Sequence, residues 1–152
     1  MEGIVIREYQ QKDWSRLMEI HDNARVVELQ LAGLSDAFIP LAEAALNEGL
    51  FDYKVCVALV NDKVLGFVAY SDDELAWLYV DPVYKSQGIG KCLVKYVVEN
   101  NAKRPLCVEV LKRNEPAIHL YKSMGFETTD ICSGAMPGNE SFRVTVCCMQ
   151  KI

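Results

Sequence analysis

The stretch Leu75–Leu93, LAWLYVDPVYKSQGIGKCL, constrains this chain more than any other. Its opening run, Leu75-Ala76-Trp77-Leu78-Tyr79-Val80, has the length and residue types of a buried strand. Asp81-Pro82 stops that strand, because proline cannot donate to a ladder and restricts the residue before it. A polar segment, Tyr84-Lys85-Ser86-Gln87, leads into Gly88-Ile89-Gly90-Lys91, after which apolar residues recur with helical spacing at Leu93, Val94, Val97 and Val98. The glycines therefore fall in a strand-to-helix turn. Glycine lets backbone come close to a ligand, and the free N–H groups of a first helical turn, with the helix dipole, favour phosphate. The turn predicts a phosphate-bearing ligand.

Two common phosphate-binding patterns fail when read letter by letter. A Walker loop needs glycine five residues before Gly90 and Ser or Thr after Lys91, where Lys85 and Cys92 stand. A dinucleotide fingerprint needs a third glycine three residues after Gly90, where Leu93 stands. A tight turn with no ligand is the remaining bland alternative.

The rest of the chain supplies strands and helices around this unit. Ile4–Tyr9 alternates as a first strand, and the N-terminus, which lacks the charged and apolar regions of a signal peptide, reads as a strand starting at once. Asp13 is expected to cap a helix from Trp14 to about Leu31, with Leu17, Ile20, Ala24 and Val27 on one side. Gly33 breaks it, and Ser35 is expected to cap a second helix through Leu46 that ends near Gly49. A hairpin follows, Lys54–Val60 and Lys63–Tyr70 around Asn61-Asp62, and then a polar turn at Asp72-Asp73-Glu74. Beyond the glycine turn, Leu106–Leu111 is a fifth strand and Asn114 caps a helix to Met124, closed by Gly125. Phe126 to about Cys132 is a sixth strand, Ser133–Ser141 a loop, and Phe142–Met149 the last strand. This order predicts one α+β domain over residues 1–152 with a mixed, mostly antiparallel sheet of about seven strands and about four helices. The β-α-β unit around the glycine turn places the central and fifth strands parallel and side by side.

Composition excludes several classes. A net charge of −5 argues against general nucleic-acid binding and is compatible with a cationic substrate such as an amine. No stretch approaches the roughly 20 apolar residues of a membrane span; a cytoplasmic protein is expected. Of the six cysteines, Cys56, Cys92, Cys107 and Cys147 sit among apolar neighbours and read as reduced core thiols, with Cys132 and Cys148 more exposed. No C-x-x-C occurs and neither His21 nor His119 has ligand spacing to a cysteine, so no metal is expected.

Two motifs then fall in order. Val80–Gly90 fits V-D-P-x-[YW]-x-x-x-G-x-G, and Asn114, Ala117, Tyr121, Gly125 and Phe126 fit N-x-x-A-x-x-x-Y-x-x-x-G-F. The chain thereby resembles the GNAT superfamily of acyl-CoA-dependent N-acetyltransferases over about 50 residues, and the order of the remaining elements agrees. Lys85 and Ser86 stand where that family usually has Gln or Arg and often Gly. The resemblance implies a sheet splayed between the central and fifth strands, acetyl-CoA as cosubstrate, and transfer of acetyl to a primary amine of a small molecule, peptide or protein by direct attack in a ternary complex.

By position, it implies that the Leu78-Tyr79-Val80 backbone meets the pantetheine, chiefly through the amides of Leu78 and Val80. The turn Lys85, Ser86, Gln87, Gly88, Ile89, Gly90 and Lys91 would hold the pyrophosphate. Asn114 and Ala117 would meet the cofactor beside the splay, and Tyr121 would protonate the leaving thiolate. The N–H of Val80 would face the oxyanion. Glu74, at the start of the central strand, is the candidate general base, with a solvated turn carboxylate as its bland alternative. Residues 114, 117, 118 and 121 share one helix face, which agrees with these roles. Acceptor specificity is expected in Arg25–Pro40 and Ser133–Ser141. A non-catalytic acyl-CoA sensor, and an enzyme acting on a protein N-terminus or aminoacyl-tRNA, are the other readings. Homodimers occur in the family.

Overall fold

A computed structural model describes residues 3–152; Met1 and Glu2, where the N-terminal strand expectation begins, lie outside the described residues. Strand β1 is Val5–Glu8, and β2 (Lys54–Val60), β3 (Lys63–Tyr70) and β4 (Leu75–Val80) follow it in one antiparallel sheet of order β1-β2-β3-β4. Asn61 and Asp62 both adopt positive φ, 51° and 64°, the backbone that a two-residue hairpin needs to match strand twist. A second antiparallel sheet, of order β5-β7-β6, holds β5 (Leu106–Leu111), β6 (Glu127–Met136) and β7 (Asn139–Lys151).

The two sheets meet at one point. Glu74 and Cys107 form a single parallel bridge, reinforced by the Cys107 N–H donating to the Asp73 carbonyl at 2.8 Å. Beyond it, among the described residues, β4 pairs only with β3, and β5 only with β7. The expected side-by-side pairing is thus confined to the strand starts, and the strands diverge from there. A physical reason lies in β4: Ala69 pairs with Trp77 and Tyr70 with Leu75, leaving Ala76 as a bulge, and bulges sharpen local twist.

Helices cover both faces. α3 (Ile89–Asn100) and α4 (Glu115–Ser123) pack one face, where Leu93, Val94 and Val97 meet Cys56, Val68 and Val108. α1 (Trp14–Leu31) and α2 (Leu41–Asn47) pack the other, where Leu17, Ile20 and Leu41 meet Val57, Phe67 and Trp77. Leu17 and Phe67 are fully buried, each contributing about 1.5–3 kcal/mol relative to exposure. A third cluster, Leu29, Ala37, Met136 and Val144, ties the end of α1 to the β6–β7 hairpin.

Close approach of α3 to the sheet requires Gly66. A Cβ there would stand 3.0 Å from the Tyr79 carbonyl oxygen and 3.2 Å from both Ile89 and Leu93. Gly66→Ala is expected to cost about 1–3 kcal/mol through overpacking, lowering Tm by about 2–4 °C per kcal/mol in a thermal melt. An unchanged Tm would show that α3 can shift at no cost.

Several local expectations are corrected. Asp13 is the N-cap residue of α1, as expected, but its side chain makes no capping bond: the carboxylate takes both Arg7 nitrogens (2.8 and 3.0 Å) and the Gln10 N–H (2.9 Å). The buried side of α1 is Leu17, Ile20, His21 and Leu29, while Val27 is exposed. The expected second helix is split into a 3-10 turn at Ser35–Ala37 and α2, because Pro40 holds Ile39 out of the helical region. The loop expected at Ser133–Ser141 is mostly ladder; Ser133 pairs with Thr145 and Met136 with Asn139, so Pro137-Gly138 alone turns the chain. All six cysteines are free, and Cys132 is exposed with its Sγ 3.7 Å from that of Cys148.

Candidate active site

The glycine turn is pinned from beneath. Asp81 is buried; it accepts from Val83 N–H at 3.0 Å and pairs with Arg16 at 2.5 Å, while Arg16 Nε donates to the Val64 carbonyl at 2.7 Å. Burial alone would push the Asp81 carboxyl up, but the Arg16 hydrogen bond and the Val83 N–H outweigh it and hold the group below its ordinary range. Above this anchor, Lys85, Ser86, Gln87, Gly88 and Lys91 are exposed. Ser86 (φ 63°) and Gly88 (φ 85°) adopt left-handed backbone, and Gly88 is the N-cap of α3. The first helical bond runs from Cys92 N–H to the Gly88 carbonyl at 3.0 Å. Among the described residues, no backbone acceptor takes the N–H groups of residues 86–91. The Ile89 side chain is core, so only its N–H belongs to the turn; Gly90 is a packing glycine, with Leu120 3.3 Å from where its Cβ would lie.

The unpaired edge of β4 continues this line of donors. Asp81 N–H donates to the Leu65 carbonyl at 2.8 Å, which fixes the alternation of the antiparallel pair. The Tyr79 and Trp77 backbones therefore face β3, and those of Leu78 and Val80 face the splay. Tyr79 was expected to contribute backbone there. Its side chain instead turns to the α1 side, where the hydroxyl donates to Glu28 at 3.4 Å.

The splay opens into a cavity of about 440 Å³. Glu74, just before β4, and Trp77–Tyr79 of β4 line it, with Val108–Leu111 of β5 and, at α4, its N-cap Asn114 and its residues Ala117 and Tyr121. His21, Arg25 and Glu28 of α1 and the 136–138 turn of the β6–β7 hairpin enclose the far side. Both segments expected to set acceptor specificity thus border the cavity, the second as a hairpin tip.

Tyr121 is 4% exposed and packs edge-on against Phe126 at 5.5 Å, yet no described residue hydrogen-bonds its hydroxyl. Burial, then the charge of Glu28, raises its pKa above that of an ordinary phenol, so it stays protonated. Asn114 caps α4, accepting from Ala117 N–H at 3.3 Å, and its amide nitrogen donates to Glu28 at 3.1 Å. Glu74 accepts from the Tyr53 hydroxyl at 3.0 Å.

Sequence reading missed three carboxylates that border the cavity, Glu28, Glu48 and Glu109. Glu109 lines the cavity from β5 and has no ion-pair partner among the described residues. Its signal was a lone charge in the apolar run Leu106–Leu111, pointing away from Val108 and Val110. Glu28 gave no local signal, because its partners Tyr79 and Asn114 are distant in sequence.

His21 is also buried at this site, 4.8 Å from the Tyr79 ring with Nδ1 2.9 Å from Asp22. Burial lowers its pKa, and Asp22 opposes that only in part. The unfolded chain takes up this proton near pH 6.5, about the ordinary value. Stability is therefore fully present above that pH and falls as pH drops towards the folded pKa. Denaturant unfolding across this window should show the slope in the wild type and lose it in His21→Phe.

Residues 51–128 match the acetyltransferase (GNAT) domain family. The peptidyl-lysine N-acetyltransferase YiaC of Escherichia coli is 39% identical over 94 residues, covering 51% of this chain and 63% of that protein's length. The GCN5-related N-acetyltransferase structure from Rhodopseudomonas palustris superposes with a TM-score of 0.81 at 18% identity, over 99% of this chain and 96% of that one. The yncA structure from Salmonella typhimurium, solved with acetyl-CoA, has a TM-score of 0.67 at 20% identity, over 98% and 93% of the two chains. The last two are likenesses of fold.

Proposed function

Because this chain belongs to the acetyltransferase (GNAT) domain family, we propose that it moves the acetyl group of acetyl-CoA onto a primary amine by direct attack in a ternary complex. The observation that carries the reading is Tyr121: a buried, protonated phenol whose hydroxyl has no hydrogen-bond partner among the described residues, facing the gap between β4 and β5. The chain's residues fit the cosubstrate. Free N–H groups at Ser86–Lys91 suit a pyrophosphate, with Lys85 and Lys91 exposed beside them, and Leu78 and Val80 offer peptide groups to the pantetheine amides.

In this reading the cleft holds the amine beside the thioester carbonyl, and positioning supplies much of the rate. The N–H of Val80 faces the oxygen on which charge develops. Glu74 receives the proton that the ammonium must lose; Glu109, on the facing strand, is a second carboxylate available for that transfer. Tyr121 gives its proton to the departing thiolate sulfur as the carbon–sulfur bond breaks, and the second proton shed by the attacking nitrogen as the amide forms restores the phenol.

The acceptor is proposed to be a lysine side chain of a peptide or protein, the chemistry named for YiaC. The cavity supports a cationic acceptor: Glu28, Glu48, Glu74 and Glu109 border it against Arg25. A cytoplasmic setting, a homodimer and a single catalytic domain over the whole chain belong to the same proposal.

Acetyl-CoA is expected to raise Tm by mass action on the folded state, and pantetheine without the nucleotide to raise it far less at equal concentration. Equal shifts from both, read by differential scanning fluorimetry, would remove the pyrophosphate role of the glycine turn.

A further inference from the structure

The least accountable side chain in the cavity is Glu28. It lies on α1, which packs against β4, yet it contacts the cap of α4, which belongs to the other half of the splay. Its Oε1 accepts from Arg25, one turn earlier on the same helix, and from the Tyr79 hydroxyl at 3.4 Å. Its Oε2 accepts from Asn114 Nδ2 at 3.1 Å. The other end of that amide is also committed, since Oδ1 accepts from Ala117 N–H. These two bonds fix the amide's orientation. Flipping it would set Nδ2 against an N–H donor and Oδ1 against a carboxylate, both repulsive.

We infer that Glu28 is a positioning residue, a latch across the splay that orients Asn114 and, through the first turn of α4, the Tyr121 hydroxyl. The inference rests on the acetyl-transfer reading of Tyr121. Asn114, Ala117 and Tyr121 share one face of α4, so a fixed cap fixes the height and rotation of the phenol. Around the latch stand Arg25, which neutralises one oxygen, the Tyr79 hydroxyl, and His21 on the adjoining turn.

A double-mutant cycle tests the coupling. Asn114→Ser keeps an N-cap oxygen but removes the donor to Glu28. Glu28→Ala removes the acceptor, and Glu28→Gln keeps one carbonyl oxygen for Asn114. Each of Asn114→Ser and Glu28→Ala is expected to lower kcat by about 10-fold, the scale of contacting residues, with the double variant no slower than the worse single. Glu28→Gln should recover part of the loss. Multiplicative losses in the double variant would show that Glu28 acts independently of Asn114. A lowered Tm with unchanged kcat would reduce the latch to a structural contact. Either result overturns the inference. Absence of turnover in the wild type would instead count against the reaction, and the latch is then read by NMR. The Asn114 side-chain amide should be slow to exchange in the wild type and fast in Glu28→Ala; fast exchange in both also overturns it.

Discussion

Replacing Tyr121 by Phe is expected to lower kcat by roughly 10- to 10⁴-fold, the range over which a positioned general acid contributes. The change removes one oxygen and keeps the ring that packs on Phe126. Since no described residue hydrogen-bonds that oxygen, its loss leaves no protein group unpaired, and Tm should stay close to the wild type. Acetyl-CoA affinity should also hold, because the turn and the β4 edge supply its contacts. The effect should therefore lie in kcat, measured by release of free thiol at saturating substrates. An intact kcat would mean that water protonates the thiolate or that it leaves unaided. A large loss of stability would assign the hydroxyl a structural role.

Gly88→Val is expected to weaken acetyl-CoA binding by at least about 10-fold, equivalent to 1.4 kcal/mol. The left-handed backbone at φ 85° is strained for any residue with a Cβ and worst for a β-branched one; such strain costs on the order of 1–3 kcal/mol. Relieving it by rotating the peptide would turn the N–H groups at the head of α3 away from the position proposed for the pyrophosphate. The residue is exposed, so the folded state should survive. Titration calorimetry with acetyl-CoA checks this. A folded variant with wild-type affinity would show that the phosphates bind elsewhere.

What was legible in the sequence was what is local. The Lys54–Tyr70 hairpin announced itself through β-branched runs and Asn61-Asp62, β4 and α3 through the change of period across Asp81-Pro82, and α4 through its Asn114 cap and Gly125 stop. The errors came where a distant partner decided the outcome. Asp13 has the right residue type to cap α1, but Arg7 and Gln10 N–H occupy its carboxylate. Two glycines and a proline made Ser133–Ser141 look like a loop, yet an antiparallel partner strand holds Gly134 in a ladder opposite Val144. At the site, the turn and Tyr121 were readable because both sit within short motifs. Glu28 and Glu109 were not, because they enter the cavity only when α1 crosses β4 and β5 diverges from it.

The most direct test is mass spectrometry of lysine-containing peptides incubated with the protein and acetyl-CoA, with Tyr121→Phe run beside it. Peptides heavier by one acetyl group on lysine nitrogen are expected, formed in step with free CoA and much more slowly by the variant. Tight acetyl-CoA binding with no acetylated product from lysine peptides or other primary amines, and no difference between the two proteins, would contradict it.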